Sequence, residues 1–228
     1  MISIIVPVYK DEAALKNFLA QKHKLKGDYE LLFVITEEDE KLIEKYPEET
    51  ILLAPKGRAF QMNYGAKNCR GDILLFLHAD SIIEDNILEE VRKGVEISPA
   101  GCLKIYFDSN HLLMKICGYM SRFRVRRRNI AFGDQGIFLT RDLFEKIGGY
   151  REIPLMEDYQ LSMDIKDLGI KIRQCDSKII TRSIRYEKGG MLKTMYKMQK
   201  YQHMYRKGVD PKEIAERYRN VRWAIWIM

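Results

Sequence analysis

The sequence of 228 residues predicts an α/β fold with a mostly parallel central sheet flanked by helices. Short apolar runs alternate with amphipathic segments through the first hundred residues, which is typical of strand–helix units whose strands pair in parallel. One of these runs ends abruptly in polar residues, as expected where a buried strand reaches the edge of a sheet that binds ligands. Hydrophobic residues make up 46% and charged residues 31%, which is ordinary for a soluble globular domain.

The first half of the chain contains four predicted strands and four predicted helices. The strands are short apolar runs bounded by proline, glycine or charged residues: residues 2–6, 31–35, 51–54 and 72–77. The helices have apolar residues at helical spacing: residues 11–21, an acidic segment ending at Tyr46, residues 57–69 and residues 83–97. This regular alternation predicts a doubly wound sheet.

The regular alternation of predicted strands and helices ends at about Pro99. The predicted strands there are residues 103–107, which alternate like an exposed or antiparallel strand, and residues 136–140, 170–173 and 179–181. The predicted helices are residues 112–125, 141–147, 158–168 and 191–206. Glycines follow two of these helices, and residues 208–211 separate the last predicted helix from a final segment.

Charge and cysteine content restrict the class of protein. The formal net charge of +7 suits a nucleoside diphosphate, nucleic acid or an acidic membrane surface, without choosing among them. Four cysteines without C-x-x-C spacing predict buried thiols in a reducing compartment, hence the cytosol. The amino terminus lacks the features of a signal peptide, and no apolar run approaches the roughly 20 residues of a membrane span. The apolar end, residues 221–228, predicts either packing on the core or contact with a membrane interface.

A histidine and an aspartate follow the fourth predicted strand. Asp80 can hold Mg²⁺ or Mn²⁺ while substrate phosphates and water supply the other ligands. His78 would favour Mn²⁺, because imidazole is the softer ligand. The alternative is that Asp80 caps the next segment and His78 is an ordinary strand-end histidine.

The segment from Gly57 to Ala66 predicts an anion site at the start of a helix. Gly57 allows close approach to backbone N–H groups, and Arg58 can form a two-pronged contact with phosphate. Gln61 and Asn63 add neutral hydrogen-bonding groups. The alternative is a helix whose polar face meets only water.

Two adjacent carboxylates, Glu157 and Asp158, begin a later predicted helix. They are explained either as residues favoured by the helix dipole or as a general base with a hydrogen-bond partner. Because neighbouring side chains on a helix point in different directions, we expect that the two do not share one role.

Two further segments could contact ligands. Gly133, Asp134 and Gln135 are predicted to form either a loop that presents polar groups to a ligand or a plain turn without that function. Five arginines lie in residues 121–128, which suits nucleic acid, a phosphate-bearing acceptor, an anionic membrane surface or a solvated helix face. A second basic group follows the last predicted strand and could close over a diphosphate: Arg182, Arg185 and Lys188.

Taken in order, these motifs resemble family 2 glycosyltransferases with the nucleotide-sugar-binding fold called GT-A, and in particular a bacterial subgroup. The shared motifs are GRA-x-Q-M-N-x-GA, LLFLHAD, GDQ and PLMED, which here occupy residues 57–66, 74–80, 133–135 and 154–158. Residues 181–186 and 208–211 also resemble that subgroup, so that the similarity runs nearly end to end.

The resemblance implies inverting transfer of a sugar from a UDP- or GDP-linked donor to a hydroxyl acceptor, with Mn²⁺ or Mg²⁺. It implies a donor-binding half in residues 1–98, an acceptor and catalytic half of the same domain in residues 99–188, and a helical extension in residues 189–228. A cytoplasmic enzyme with peripheral membrane contact through its C-terminal region is expected, without a nucleic-acid partner.

The resemblance also implies roles for single residues. Asp158 matches the catalytic base, with Glu157 beside it, and Asp80 matches the last aspartate of the metal-binding D-x-D motif. His78 stands where that motif has its first aspartate. The residues implied at the nucleobase, ribose and diphosphate are Pro7, Tyr9, Glu12, Gly57, Arg58, Gln61, Asn63, Arg182 and Arg185. Those implied near the donor sugar or acceptor are Gly133, Asp134 and Gln135.

One position departs from the family pattern. The second strand of the family commonly ends in an aspartate that contacts the nucleobase, and Thr36 or Glu37 takes that place here. The sequence therefore does not determine whether the donor nucleotide is UDP, GDP or another.

Two other functions are compatible with the same fold. A nucleotidyltransferase would use a similar sheet and metal, but its usual glycine-rich loop after the first strand is missing from residues 7–12. A non-catalytic protein would use the arginines of residues 121–128 to hold an anionic polymer.

Overall fold

The computed structural model describes residues 1–226, apart from the side chains of Arg185 and of residues 219–226. The side chain of Arg185, predicted at the diphosphate, therefore lies outside the described part. So do the side chains of residues 221–228, which were predicted to contact the core or a membrane.

A single sheet of eight strands forms the centre of the protein in the described residues. The strands are β1 Ile2–Pro7, β2 Tyr29–Ile35, β3 Thr50–Leu53, β4 Ile73–Phe76, β5 Ile82–Ile83, β6 Ala100–Phe107, β7 Phe138–Thr140 and β8 Arg173–Thr181. Their order is β3-β2-β1-β4-β7-β6-β8-β5. β3, β2, β1 and β4 are mutually parallel, as are β6 and β8, whereas β7 and β5 run antiparallel to their neighbours. The prediction of a mostly parallel sheet is confirmed.

Ten α-helices surround this sheet in the described part of the chain. They are α1 Glu12–Leu19, α2 Lys41–Lys45, α3 Arg58–Lys67, α4 Ile87–Ile97, α5 Leu112–Arg128, α6 Arg141–Lys146, α7 Glu157–Asp167, α8 Ile184–Gly189, α9 Met191–Arg206 and α10 Pro211–Trp226. One apolar cluster joins α1 and α4 to one face of the sheet, and a second joins α3, α5, α6 and α7 to the other face. Because β1, β2 and β4 are covered on both faces, they appear in the sequence as largely continuous apolar runs. β3, at the edge of the sheet, is only partly covered.

Three sequence predictions of strands are wrong in detail. Residues 170–173 and 179–181 are not two short strands, since β8 continues from Arg173 to Thr181 alongside β6. Of the two alternatives predicted for β6, exposed or antiparallel, the first is wrong, since β6 lies inside the sheet between β7 and β8. The second is correct for one neighbour, because β6 pairs antiparallel with β7. Residues 82–83 form β5 rather than the start of a helix, because they pair with the end of β8. Polar residues interrupt β8, and only its pairing with β6 makes it continuous.

The helical C-terminal extension is present and packs on the protein. Tyr201 of α9 and Ile214 of α10 are buried against Met156 and Tyr159, in a third apolar cluster that also includes Ile130. The extension therefore supports the turn that precedes α7.

The structure also tests the predicted burial of the cysteines and the prediction that no segment spans a membrane. Cys69, Cys102 and Cys175 are buried free thiols, and Cys117 is half-buried. Burial raises the pKa of Cys175 to about 11. Among the described residues, no helix combines the length and the apolar character that a bilayer crossing needs.

Candidate active site

Arg58 is the centre of a charged cluster at the carboxyl edge of the parallel strands. Its Nε donates to Glu157 Oε1, and its Nη2 lies 3.4 Å from Asp158 Oδ2. Its Nη1 lies 3.3 Å from His78 Nε2. Three segments that the sequence indicated separately, after β3, after β4 and at the start of α7, therefore meet at one guanidinium group.

The start of α3 presents Arg58 together with free backbone donors. Gly57 precedes the helix with φ +139°, and a Cβ there would lie 2.8 Å from the ring of Phe60. The first N–H groups of a helix have no carbonyl partner within it, and the helix dipole makes this end positive. With Arg58 on the first turn, the start of α3 is suited to hold a phosphate.

A left-handed residue sets the start of α7. Met156 has φ +71°, which is uncommon for a residue with a side chain, and its side chain is buried in the third apolar cluster. This turn places Glu157 and Asp158 on the first turn of α7, where both reach Arg58. Both carboxylates meet Arg58, because the guanidinium fork is wide enough for two partners. The expectation that the two acids do not share one role stays a prediction.

Backbone donors hold the carboxylate of Asp158 in one orientation. Oδ2 accepts from the N–H of Gly133 at 2.8 Å, and Oδ1 accepts from the N–H of Tyr159 at 2.7 Å. Oδ2 also meets Arg58, whereas Oδ1 has only the one partner among the described residues, so its second lone pair can accept a proton or a hydrogen bond from a ligand.

Glu157 is the more deeply buried of the two acids, with 2% of its side chain exposed. Burial raises the pKa of Glu157 above its ordinary value, although the charge of Arg58 opposes this change. Burial lowers the pKa of Arg58, but the charges of Glu157 and Asp158 outweigh that effect and raise it overall. Arg58 therefore stays cationic at any pH at which the protein is folded.

His78 and Asp80 have different surroundings. His78 Nε2 would lie 2.9 Å from a Cβ at Gly133, so the imidazole packs on the Gly133–Gln135 turn beside Arg58. The carboxylate of Asp80 is half-exposed and has no hydrogen bond or ion pair with another described residue. His78 belongs to the Arg58 cluster, whereas Asp80 remains available to a ligand from outside.

Replacing Gly133 by alanine tests this close packing. The new Cβ would lie 2.9 Å from His78 Nε2 and 3.4 Å from Asp158 Oδ2, so the imidazole or the turn must shift. We expect kcat to fall about 10- to 100-fold, because small displacements of catalytic groups have effects of that size. Steady-state kinetics on Gly133→Ala would measure the loss.

Gly118→Ala is the matched control, since its Cβ would meet first the flexible end of Arg122 at 3.1 Å. Equal kcat values for the two variants would contradict the prediction.

The described residues support only one kind of metal site. They contain no group of three or more His, Cys, Asp or Glu side chains able to hold a metal ion together. A metal here would depend on Asp80 and on ligands from substrate and water. That donor set fits Mg²⁺ or Mn²⁺, which accept such partial protein coordination, and it does not fit a structural zinc ion.

A second polar cluster lies beyond β2 at the same edge of the sheet. Thr36 Oγ1 donates to Glu38 Oε2 at 2.6 Å, and Lys56 Nζ lies 3.0 Å from Glu38 Oε1. The hydrogen bond from Thr36, followed by that from Lys56, lowers the pKa of Glu38 to about 2. Lys56 Nζ also lies 4.6 Å from the ring centroid of Tyr9. Glu38, rather than Glu37, is thus the acid that joins Thr36.

Three of the residues predicted at the donor bind the protein itself. Gln61 is buried, and its Nε2 donates to the carbonyl oxygens of Val8 at 2.8 Å and Val34 at 2.7 Å. Asn63 donates to the carbonyl oxygen of Tyr150 at 2.8 Å and accepts from its N–H at 2.9 Å. These two amides therefore fix the backbone around the site at Val8, Val34 and Tyr150.

The third, Glu12, lies at the contact of α1 with α2. Its Oε1 accepts from Lys45 Nζ and from the hydroxyl of Tyr46 at 3.2 Å. The hydrogen bond from Lys45 is the main reason that the pKa of Glu12 is lowered. Pro7 ends β1 opposite Val34, close to the Gln61 contact.

The Gly133–Gln135 turn is anchored by an arginine of α5. Gln135 is fully buried, and its Oε1 accepts from Arg124 Nη2 at 2.9 Å and from the N–H of Phe132 at 3.1 Å. Burial lowers the pKa of Arg124, while the charges of Asp134 and Asp158 oppose the change. Gln135 therefore shapes the turn, and half-buried Asp134 is the member nearer to solvent.

Arg182 is not joined to the Arg58 cluster in the described residues. It follows β8, is exposed and has no ion pair there.

The sequence did not indicate Tyr150. Its ring is fully buried against Phe76 and Phe144, and its hydroxyl has no hydrogen-bond partner among the described residues. Burial raises the pKa of Tyr150 well above its ordinary value, and the charge of Asp158 adds to this. No signal around Gly149 distinguished this tyrosine from an ordinary residue after a helix.

Comparison with known proteins gives one family and several similar folds. The model of the family described as Glycosyl transferase family 2 matches residues 3–148. No curated protein matches the chain.

Two solved structures share the fold at 16% sequence identity. TarS 1–349 of S. aureus, also solved with UDP-GlcNAc, has a TM-score of 0.59, with 82% of this chain and 62% of that chain covered. Mannosyltransferase PcManGT from Pyrobaculum calidifontis, in complex with GDP-Man and Mn²⁺, has a TM-score of 0.64, with 98% of this chain and 71% of that chain covered. The chain thus spans less than two thirds of TarS 1–349, and the likeness shows a common GT-A fold.

Proposed function

The chain belongs to glycosyl transferase family 2, and from that premise we propose that it moves a sugar, with inversion, from a nucleotide-sugar donor to a hydroxyl acceptor. The observation that carries the proposal is the carboxylate of Asp158, held by the N–H groups of Gly133 and Tyr159 beside Arg58. A single oriented base next to an anion site is what this reaction requires.

Asp158 would act as the general base. It removes the proton of the acceptor hydroxyl as the acceptor oxygen attacks the anomeric carbon. The bond from that carbon to the diphosphate breaks, and its electron pair leaves with the diphosphate. Attack from the face opposite the leaving group inverts the configuration, and no covalent nucleophile is needed.

Arg58 and the start of α3 would bind the leaving diphosphate. Negative charge grows on its oxygens as the bond breaks, and fixed N–H donors and a guanidinium group stabilise that charge without reorganising. Glu157 holds Arg58 in place through the Nε contact, so we assign it a positioning role.

A divalent metal, Mn²⁺ or Mg²⁺, would be held by Asp80. When bound, it would supply Lewis-acid stabilisation of the diphosphate. The mannosyltransferase PcManGT, solved with GDP-Man and Mn²⁺, supports a divalent metal, and the proposal of Asp80 rests on its half-exposed carboxylate, which is unpaired among the described residues.

The cluster of Tyr9, Thr36, Glu38 and Lys56 would contact the nucleobase and ribose. A ring, a carboxylate and an ammonium group suit the stacking and hydrogen bonding of a base. The neighbouring structures contain UDP-GlcNAc or GDP-Man, so the donors to be tested first are UDP- and GDP-sugars.

Thermal unfolding with a panel of nucleotide sugars, with and without Mn²⁺, tests the donor site. We expect one nucleotide class to raise Tm by about 5–10 °C at about 100 times its Kd, and the metal to be needed for most of this shift. Asp80→Asn should lose the metal-dependent part. Asp85→Asn, an exposed aspartate paired with Lys26, is the matched control and should keep it. The same Mn²⁺-dependent shift in both variants would remove Asp80 from the metal site.

A further inference from the structure

Helix α5 exposes an apolar stripe to solvent. Its members lie at positions i, i+4, i+7, i+8 and i+11, with exposed fractions of 68, 43, 53, 53 and 38%: Leu112, Ile116, Tyr119, Met120 and Phe123. At 3.6 residues per turn they cover about 100° of the helix surface. The buried residues of α5 are Met114, Gly118 and Val125, which lie on roughly the opposite side.

This arrangement reverses the usual one for a surface helix. Such a helix buries its apolar stripe and exposes its polar side. A contiguous apolar surface in water marks a contact with another molecule or with a membrane. α5 instead packs through its other face and leaves each member of the stripe between 38 and 68% exposed.

Basic residues surround the stripe. By helical position, Lys115 and Arg126 lie along one side of the stripe. Arg127 continues the stripe itself and lies 5.7 Å from the ring centroid of Phe123. Tyr119 and Phe123 stack with their centroids 6.3 Å apart. α5 contains six lysines and arginines and no acidic residue.

The neighbouring helix α9 has the same character. It contacts α5 and exposes Leu192 and Tyr196. Four lysines and arginines lie in α9, again without an acidic residue. The two helices carry ten of these cations, of which Arg122 and Arg124 donate to other parts of the protein. The eight that remain still exceed the net charge of +7 of the whole chain.

We propose that this α5–α9 face, formed by the stripe, Leu192, Tyr196 and the surrounding lysines and arginines, binds the surface of an anionic phospholipid bilayer. Aliphatic side chains would enter the boundary between headgroups and acyl chains, and the aromatic rings would lie at headgroup level. The arginines and lysines would contact lipid phosphates. The proposal does not depend on the reaction at Asp158.

Charge and polarity together favour a bilayer over other partners. A nucleic acid would neutralise the cations but leave Leu112, Ile116 and Met120 in water. A second copy of the chain would bring two strongly cationic surfaces together, and like charges across an interface repel. An anionic membrane surface accommodates both the apolar and the basic part of this face.

Co-sedimentation with vesicles tests the proposal. The full chain is mixed with vesicles of phosphatidylcholine alone, or with 30% phosphatidylglycerol, at about 0.15 M and about 0.5 M salt. We expect binding to the anionic vesicles, weaker binding at high salt, and little binding to the neutral ones.

Ile116→Ser/Met120→Ser should weaken binding at least about ten-fold. Arg126→Gln/Arg127→Gln/Arg128→Gln should weaken it about a hundred-fold, since each cation near the surface contributes about one kcal/mol.

Matched variants elsewhere on the surface separate this face from general effects. Ile97→Ser/Leu168→Ser removes two exposed apolar side chains, and Lys41→Gln/Lys67→Gln/Lys166→Gln removes three exposed charges. Both should bind the vesicles like the unaltered protein. Unchanged binding in the α5 variants would overturn the proposal. So would the absence of binding to anionic vesicles by the unaltered protein. Dimerisation or RNA binding that Ile116→Ser/Met120→Ser abolishes would then identify the partner of this face.

Discussion

Asp158→Asn should lower kcat by about 10²–10⁴-fold, the range that a positioned general base contributes. The amide is nearly isosteric but cannot accept the acceptor proton. Its NH₂ group would also face one of the N–H donors that now hold the carboxylate, those of Gly133 and Tyr159. Nucleotide binding should change little, because Arg58 and the start of α3 remain. Turnover of the donor and calorimetric titration of the nucleotide would measure the two effects separately.

Asp167→Asn is the control for this variant, since Asp167 is exposed at the end of the same helix. It should retain full activity. Undiminished turnover in Asp158→Asn would remove Asp158 from the role of base. Release of pyrophosphate instead of a nucleoside diphosphate by the unaltered enzyme would indicate nucleotidyl transfer rather than glycosyl transfer.

Arg58→Met should affect both stability and activity. It leaves Glu157 buried without its charged partner, and breaking a buried pair costs about 3 kcal/mol in the free energy of unfolding. For a chain of this length that corresponds to a decrease in Tm of about 6–12 °C. Since Arg58 is also proposed to bind the leaving diphosphate, kcat should fall about 10²–10³-fold. Urea unfolding and steady-state kinetics would measure the two losses.

A second substitution separates those losses. In Arg58→Met/Glu157→Gln the buried charge is gone, so part of the stability should return while the activity should not. Arg70→Met removes an exposed arginine that pairs with Glu30 at the surface, and it should cost less than about 0.5 kcal/mol. A loss of stability in Arg58→Met no larger than in Arg70→Met would show that the contact with Glu157 does not contribute to folding.

The first half of the fold could be predicted from the sequence because three of its strands, β1, β2 and β4, are covered on both faces. Such strands need largely continuous apolar runs, and these three have them. β8 could not be predicted as one strand, since polar residues occupy its middle and its continuity comes from pairing with β6. β5 has only two residues and exists because the end of β8 lies beside it.

The positions of the site segments could also be predicted, but not the direction of each side chain. An amide in a sequence has the same hydrogen-bonding groups whether it meets a ligand or a backbone carbonyl. Gln61 and Asn63 use theirs on the backbone. Thr36 donates to Glu38, an acid that the prediction of Thr36 or Glu37 at the nucleobase did not include. Tyr150, which Asn63 holds through the backbone, lies in a segment without any motif.

The sequence by itself determined the alternation of strands and helices, the family resemblance and the segments that form the site, because these depend on local patterns of apolar, glycine and acidic residues. Only the tertiary structure decided that Arg58 joins Glu157, Asp158 and His78, and that Asp80 stays apart from them. It also decided that the apolar stripe of α5 faces solvent rather than the core. These outcomes depend on which elements pack together and on which face of a helix is covered, and contacts between residues far apart in the chain determine both.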